Sequence, residues 1–146
     1  MIFIRVKECM CSSVIKVEPN EKVSKVAKLM KENDIGCVPV CDNQNKVLGF
    51  ITDRDIVTRC VAVNGNCSET EVSEIMQKHV IKTTPDTDIE SACKTMEENQ
   101  IRRLPVIEDG KIVGILSIGD LARHEDFSCE NVGYTFECVC EDCDCK

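Results

Sequence analysis

The chain has little of what nucleic-acid-binding and membrane proteins need. Its 146 residues include no Trp and one Tyr, and 26 acidic residues outnumber 18 basic ones. A chain with a net charge of −8 lacks the basic surface that a phosphate backbone requires. No apolar run approaches the roughly 20 residues of a membrane-spanning helix. We therefore expect a cytoplasmic protein that binds neither nucleic acid nor membrane.

The sequence also lacks the residue patterns of common catalytic sites. It contains no arrangement of Ser, His and Asp or of Cys and His that we can assign to catalysis, and no Gly-x-x-x-x-Gly-Lys phosphate loop. The two histidines are His79, in a predicted loop, and His124, at the end of a predicted helix. We therefore expect no enzymatic activity.

What the chain does contain is an internal repeat. Residues 10–57 match residues 76–122 at a shift of 66 positions, which becomes 65 after the turn that precedes Gly49 and Gly114. The matches include these pairs: Met10 and Met76, Val14-Ile15-Lys16 and Val80-Ile81-Lys82, Pro39-Val40 and Pro105-Val106, Asp55 and Asp120. A fixed period of this kind predicts two copies of one structural unit. At this length the two copies should share a core.

Each copy has the same predicted order of elements. A short apolar run leads through a proline to a helix, whose apolar residues recur at helical spacing. A Pro-Val strand, a polar turn, a second strand and a second helix follow. Thr87 and Glu90 have the spacing of a capping box at the start of the helix in the second copy. The predicted fold is thus α/β, or α+β, with two β-α-β-β-α repeats packed with pseudo-two-fold symmetry.

The strongest local pattern lies where the last strand of each copy turns into the last helix. Both copies read glycine, two apolar residues, a hydroxyl residue, two further residues and an aspartate, in 49–55 and 114–120. Glycine allows a ligand to approach the backbone, and a hydroxyl at a helix start can donate to a phosphate. A carboxylate one turn later can accept hydrogen bonds from two ribose hydroxyls. The other interpretation is simple helix capping, but the duplication in register favours a ligand.

These patterns resemble those of tandem cystathionine-β-synthase (CBS) domains, which form the regulatory Bateman module. The resemblance covers about residues 8–125, and it implies two pseudo-symmetric clefts between the repeats for adenosine-type ligands such as AMP, ADP, ATP or S-adenosylmethionine. It also implies a homodimer. The expected domains are repeat 1 (8–62), a linker (63–73), repeat 2 (74–125) and a Cys-rich acidic tail (126–146).

The resemblance also implies roles for individual residues. Thr52 and Ser117 match phosphate-contacting hydroxyls, and Asp55 and Asp120 match ribose-binding carboxylates. The segments that match those flanking the adenine are Val14, Ile15, Val38, Pro39, Val40, Val80, Ile81, Leu104, Pro105 and Val106.

The arginines are distributed unequally between the copies. Arg102 and Arg103 align with Gly36 and Cys37, whereas Arg54 aligns with Gly119. Hydrogen bonds to charged groups contribute roughly 1.5 to 3 kcal/mol, against about 1 kcal/mol for neutral ones. We therefore expect unequal phosphate binding in the two clefts, unless these arginines are only surface charges.

Cysteine is abundant, with 12 in the chain. The first residues do not have the pattern of a signal peptide, so we expect reduced thiols. Cys41 and Cys93 align with Ile107 and Ala27, which predicts small buried residues. The last 20 residues differ from this pattern, because they have few apolar neighbours for their cysteines. Zinc or iron could be held there by Cys138, Cys140, Cys143 and Cys145.

Three functions of different classes follow. The first is a regulatory module that senses an adenosine-type ligand and acts on an unidentified protein target. The alternative is a metal or redox sensor that acts through the C-terminal cysteines, with the repeats as a scaffold. The third is a structural dimerisation module with empty clefts. The tail itself is either a metal site or a disordered acidic segment whose cysteines are merely reactive.

Overall fold

The structure is a computed structural model that describes residues 3–126 and 129–140. It divides into two compact units. The first-repeat unit is Ile15–Val80, and the second-repeat unit combines Met1–Val14 with Ile81–Lys146. Among the described residues, no helix is long and apolar enough to cross a membrane.

The first-repeat unit contains helices α2 (Val23–Asn33), α3 (Asp53–Ile56) and α4 (Val72–Ile75), a π-helix (Val57–Val61) and strands β1 (Cys37–Cys41) and β2 (Val47–Thr52). Val23, Val26 and Met30 lie on one face of α2 and are buried. The helix ends at Asp34, which adopts a left-handed conformation with φ 52°. Apolar residues at helical spacing thus position α2 over the core, as the sequence predicts.

The second-repeat unit contains helices α1 (Val6–Cys9), α5 (Ile89–Asn99), α6 (Ile118–Arg123) and α7 (Cys129–Cys140), and strands β3 (Arg103–Glu108) and β4 (Lys111–Ser117). The prediction that Thr87 and Glu90 form a capping box is wrong. Asp88 is the residue that precedes α5, and its carboxylate accepts from the backbone N–H of Ser91 at 2.9 Å. The Thr87 hydroxyl pairs with that of Thr84 instead.

Each unit is built around one antiparallel hairpin, β1 with β2 and β3 with β4. The register shifts after Val40 in one hairpin and after Val106 in the other, which are equivalent positions of the repeat. The two copies therefore share a bulge in the same place, as expected for copies of one unit.

The predicted first strand of each repeat is reduced to a single parallel bridge. Val17 donates to the carbonyl of Pro39 and accepts from the N–H of Cys41. Continuing a parallel ladder toward Ile15 would require an N–H at Pro39, which proline lacks. Thr83 makes the same two bonds around Pro105. The proline of each Pro-Val pair thus ends the pairing after one residue.

The first residues of each copy, about 10–15 and 76–81, form a lead-in segment that pairs with the other copy. Phe50 and Gln77 exchange backbone hydrogen bonds of 2.9 and 2.7 Å in the first-repeat unit. Cys11 and Ile115 exchange two bonds of 2.9 Å in the second-repeat unit. Each compact unit thus includes the lead-in segment of the opposite copy, and the boundaries 8–62 and 74–125 remain a proposal about repeats along the sequence.

Part of the C-terminal tail is helical and packed. Helix α7 contacts α5 and α6. The Thr135 side chain is buried and donates to Glu97 at 2.8 Å, and Val132 packs on the core of the second-repeat unit. Part of the tail therefore packs on the second-repeat unit, whereas the expectation that its cysteines are not core residues stays a prediction. Cys143 and Cys145 lie outside the described residues.

The prediction that Cys41 and Cys93 are core residues is confirmed, because both are buried. Cys93 packs in the core formed by α5, β3 and β4. Burial raises the pKa of the Cys93 thiol to about 11. Cys93 therefore stays a neutral thiol at physiological pH.

Candidate functional site

The turn between β2 and α3 is closed by two reciprocal hydrogen bonds. The Asp55 carboxylate, through Oδ2, accepts from the backbone N–H of Thr52 at 2.9 Å. The Thr52 hydroxyl accepts from the backbone N–H of Asp55 at 3.1 Å. Both predicted ligand-binding residues of the first copy thus form a capping box at the start of α3.

The turn between β4 and α6 repeats this arrangement. Oδ2 of Asp120 accepts from the backbone N–H of Ser117 at 2.8 Å and from the Ser117 hydroxyl at 2.9 Å. The same hydroxyl accepts from the N–H of Asp120 at 3.2 Å. In both copies, Oδ2 of the aspartate is therefore held by the backbone of the turn.

The second carboxylate oxygen, Oδ1, has different partners in the two copies. In Asp55 it accepts from the Gln77 side-chain amide at 3.1 Å and lies 3.8 Å from Nε of Arg59. In Asp120 it accepts from the guanidinium of Arg123. Within residues 3–126 and 129–140, the hydrogen bonds and ion pairs of Oδ1 come from side chains alone in both copies. The Gln77 amide also lies 3.3 Å from Oδ2 of Asp55. These side chains can rotate away more easily than a backbone group.

The side chains that contact Oδ1 are held more firmly in the first copy than in the second. Asp55 is 3% exposed, and its partner Arg59 also donates to the carbonyl of Ile75 at 3.0 Å. Arg123 has a side chain that is 73% exposed. The carboxylate in the second copy is consequently easier to uncover than that in the first.

Glycine occupies the same position in both copies, at Gly49 and Gly114, and this has a structural explanation. A Cβ atom at Gly49 would lie 2.4 Å from the carbonyl oxygen of Gln77. At Gly114 it would lie 2.5 Å from Sδ of Met10 and 3.0 Å from the carbonyl oxygen of Cys11. The lead-in backbone of the opposite copy thus occupies the space beside each glycine, which we expected to admit a ligand.

The strand residues expected to flank adenine belong to the cores of their units. Val38, Val40, Leu104 and Val106 are fully buried, and both prolines of the Pro-Val pairs are buried too. The lead-in residues are half-buried, namely Val14, Ile15, Val80 and Ile81. Only this second group retains apolar surface that a flat ring could contact.

The predicted arginines are all exposed, but their surroundings differ. Arg54 lies in the first turn of α3 after Asp53, whose carboxylate accepts from the backbone N–H of Arg54 at 2.8 Å. The guanidinium of Arg102 lies over the ring of Phe136 in α7, 5.8 Å from its centre. Arg103 starts β3. The second copy therefore places two cationic side chains near the start of β3.

Sequence reasoning missed Gln77, Arg59 and Arg123 as partners of the aspartates. Arg59 and Arg123 follow Asp55 and Asp120 by four and three residues, which is the spacing of ion pairs on a helix. That signal was available in the sequence. Gln77 offered no comparable signal, because it reaches Asp55 only through the pairing of its segment with Phe50.

No metal site is present among the side chains that the structure describes. Within that part of the chain, no group of three or more His, Cys, Asp or Glu residues could hold a metal ion. Of the proposed tail ligands, Cys138 and Cys140 fall in the last turn of α7, and the other two lie outside the described residues.

Comparison with known proteins identifies the family. The family model for the CBS domain matches residues 6–62 and 72–126. The chain belongs to the CBS-domain family. It is 38% identical over 120 residues to the CBS domain-containing protein YhcV of Bacillus subtilis, with 82% of this chain and 84% of YhcV covered.

Two solved structures of CBS proteins are similar to this one. Hypoxic Response Protein I, solved with two coordinated zinc ions, is 31% identical with a TM-score of 0.76, covering 83% of this chain and 98% of that one. The CBS domain pair of protein MJ0100, solved with 5′-methylthioadenosine and S-adenosyl-L-methionine, is 27% identical with a TM-score of 0.73, covering 82% and 98%.

Proposed function

We propose that this CBS protein is a regulatory module that binds an adenosine-type ligand, such as AMP, ADP, ATP or S-adenosylmethionine, and catalyses no reaction itself. The observation that carries the proposal is the duplicated aspartate, whose Oδ2 is fixed by the turn while Oδ1 is contacted by side chains alone. The similarity to a CBS pair solved with two adenosine compounds supports the choice of ligand.

The ribose would bind by replacing the side chains on Oδ1. Each carboxylate oxygen has two lone pairs, so Oδ1 can accept hydrogen bonds from both ribose hydroxyls while Oδ2 keeps its bonds to the turn. At Asp120 the ribose displaces the guanidinium of Arg123, whereas at Asp55 it displaces the amide of Gln77. The exposed part of Val14, Ile15, Val80 or Ile81 would contact the adenine.

The phosphates would distinguish the two copies. The Thr52 hydroxyl can donate to a phosphate directly, whereas the Ser117 hydroxyl must first release Oδ2 of Asp120. Arg102 and Arg103 add two positive charges in the second copy. Charge-assisted hydrogen bonds to phosphate are roughly twice as strong as neutral ones. We expect Asp120, Ser117 and the two arginines to make the tighter site for ligands with several phosphates. Arg54 would serve the weaker one.

Calorimetric titration of the chelated protein with AMP, ATP and S-adenosylmethionine tests the proposal. We expect Asp120→Asn to weaken binding by tenfold to a hundredfold, because the loss of charge-assisted bonds costs on the order of 1.5 to 3 kcal/mol. Asn keeps an acceptor for the Ser117 N–H, so the turn should persist. Asp126→Ala removes an exposed charge of the same unit and should change nothing. Binding that is equal in Asp120→Asn, Asp55→Asn and the unmodified protein would refute the site.

The alternative function is a metal sensor at the C-terminal cysteines. It is favoured by the similarity to Hypoxic Response Protein I, which was solved with zinc. The cysteine thiolates prefer zinc or iron. A titration with Zn²⁺ in place of the nucleotide separates the two functions. Tight zinc binding that is lost in the Cys138→Ser, Cys140→Ser double variant, together with no response to nucleotides, would favour the alternative.

We also propose that the protein is a homodimer. The second helix of each copy carries an apolar pair that could contact a partner, Ile56-Val57 and Leu121-Ala122. Ile56 and Leu121 are buried within their own units, but Val57 and Val61 of the π-helix are 57% and 58% exposed. Neighbouring exposed valines on one helical face are typical of an interface. Light scattering should give a dimeric mass, and Val57→Glu with Val61→Glu should give a monomer. A monomeric mass for the unmodified protein would contradict the proposal.

A further inference from the structure

Two cysteines of the first-repeat unit lie against each other. Sγ of Cys60, in the π-helix, is 2.8 Å from Sγ of Cys67, and both residues are free thiols. A disulfide requires a sulfur–sulfur distance of about 2.05 Å. The two sulfur atoms therefore need to approach by less than about 1 Å to form a bond.

The backbone on both sides holds this pair in place. The carbonyl of Cys60 accepts from the N–H of Gly65 at 2.8 Å, and the carbonyl of Cys67 accepts from the N–H of Ser24 in α2 at 2.8 Å. Cys67 itself lies in a turn that is closed by a hydrogen bond of 2.9 Å from the N–H of Thr70 to the carbonyl of Asn66. The two thiols thus meet in a loop whose ends are both fixed, without any large rearrangement.

The glycine in this loop, Gly65, lies close against Cys60. A Cβ atom at Gly65 would lie 3.2 Å from Sγ of Cys60 and 3.0 Å from its carbonyl oxygen. The chain therefore folds back closely over Cys60. This close approach places Cys67 beside Cys60.

The two thiols differ in access to solvent. Cys60 is 1% exposed, whereas Cys67 is only half-buried. The hydrogen bond with Cys60 raises the pKa of the Cys67 thiol above its ordinary value, so Cys67 must lose its proton before it attacks an oxidant. Cys67 is thus the thiol that a small oxidant can reach, and Cys60 is placed to react second.

We propose that Cys60 and Cys67 form a reversible redox site that closes into a disulfide when it meets a small-molecule disulfide of the glutathione class. Deprotonated Cys67 attacks one sulfur of the oxidant, a mixed disulfide forms, and one small thiolate leaves and takes up a proton. Cys60 then gives up its proton and attacks Sγ of Cys67, the bond between Cys67 and the sulfur of the oxidant breaks, and the second small thiolate leaves and takes up a proton. Two protein thiols are oxidised and one small disulfide is reduced to two thiols.

This site is separate from the C-terminal cysteines and does not depend on the proposed ligand. It lies next to the ligand site, however, because Arg59 precedes Cys60 and contacts Asp55. The bond would close a short loop between the π-helix and the segment that leads to α4. Closing a loop of this size restricts the unfolded chain and should raise the melting temperature.

The experiment compares full-length protein equilibrated with reduced or with oxidised glutathione. Free thiols are then alkylated and the protein is digested with trypsin. Peptide 60–78, which follows Arg59 and ends at Lys78, contains Cys60 and Cys67 and no other cysteine. We expect two alkyl groups on this peptide after reduction. After oxidation we expect none and a loss of two hydrogen atoms, reached over minutes to hours as uncatalysed exchange requires.

The melting temperature supplies a second measurement. Oxidation should raise it by about 5 to 10 °C in the unmodified protein and in Cys11→Ser, which removes an exposed thiol of the other unit. Oxidation should not raise it in Cys67→Ser. The proposal is overturned if peptide 60–78 keeps both alkyl groups, retains glutathione on Cys67, or becomes linked to another peptide under oxidising conditions.

Discussion

Replacing Gly49 by alanine is expected to lower the free energy of unfolding by roughly 1 to 3 kcal/mol. The new Cβ would lie 2.4 Å from the carbonyl oxygen of Gln77 and 3.2 Å from its carbonyl carbon. Gln77 cannot move away without cost, because it exchanges two backbone hydrogen bonds with Phe50. The strain must therefore be relieved by separating the lead-in segment from β2.

Two further alanine variants serve as matched tests of this explanation. Gly114→Ala should cost less than Gly49→Ala, because the nearest atom is Sδ of Met10, the end of a flexible side chain. Gly119→Ala, within α6, meets nothing closer than 3.5 Å and should be neutral or stabilise by about 0.5 to 1 kcal/mol. Urea denaturation measures all three. Equal losses at the three positions would show that the lead-in segments do not decide the need for glycine.

These glycines show what the sequence could and could not predict. The repeat, helices α2 and α5 and both hairpins follow from local spacing, and all are present. The pairing of each lead-in segment with the opposite copy is a contact between distant residues, such as Cys11 and Ile115. No local sequence pattern predicts such a contact. From the sequence alone, each glycine is therefore interpreted as a place where a ligand approaches the backbone.

The prolines illustrate a second limit of local patterns. An apolar run before Pro19 or Pro85 predicts a strand, and the run is present in both copies. Its partner strand contains Pro39 or Pro105, and each proline removes the N–H that a longer parallel ladder needs. The strand therefore depends on a residue that lies more than twenty positions away in the sequence.

At the candidate site, the sequence predicted the right pairs of residues but only part of their environment. Thr52 with Asp55 and Ser117 with Asp120 form matching turns. Capping and the proposed ligand binding are competing interpretations of the sequence, but they would use different oxygens of the carboxylate in this geometry. Capping by Oδ2 holds the aspartate in place, and Oδ1 is then directed by the turn toward side chains that a ligand could replace.

Because of this dual role, Asp55→Ala is expected to lower the free energy of unfolding by roughly 2 to 4 kcal/mol. The variant removes the acceptor for the N–H of Thr52, and it leaves the Gln77 amide and the Arg59 guanidinium without their carboxylate. Asp55 is also buried, so water does not readily replace these bonds. The lost contacts join β2, the start of α3 and the lead-in segment of the second copy.

A comparison of three variants separates these contributions. Asp55→Asn keeps one acceptor and should recover at least half of the stability that Asp55→Ala loses. Asp53→Ala removes the same charge from the same turn of α3, but Asp53 is exposed, and its loss should cost less than about 1 kcal/mol. Guanidinium denaturation of each variant without ligand measures the change. If Asp55→Ala were as stable as Asp53→Ala, the buried carboxylate would have no structural role, and its burial would then have to be explained by ligand binding alone.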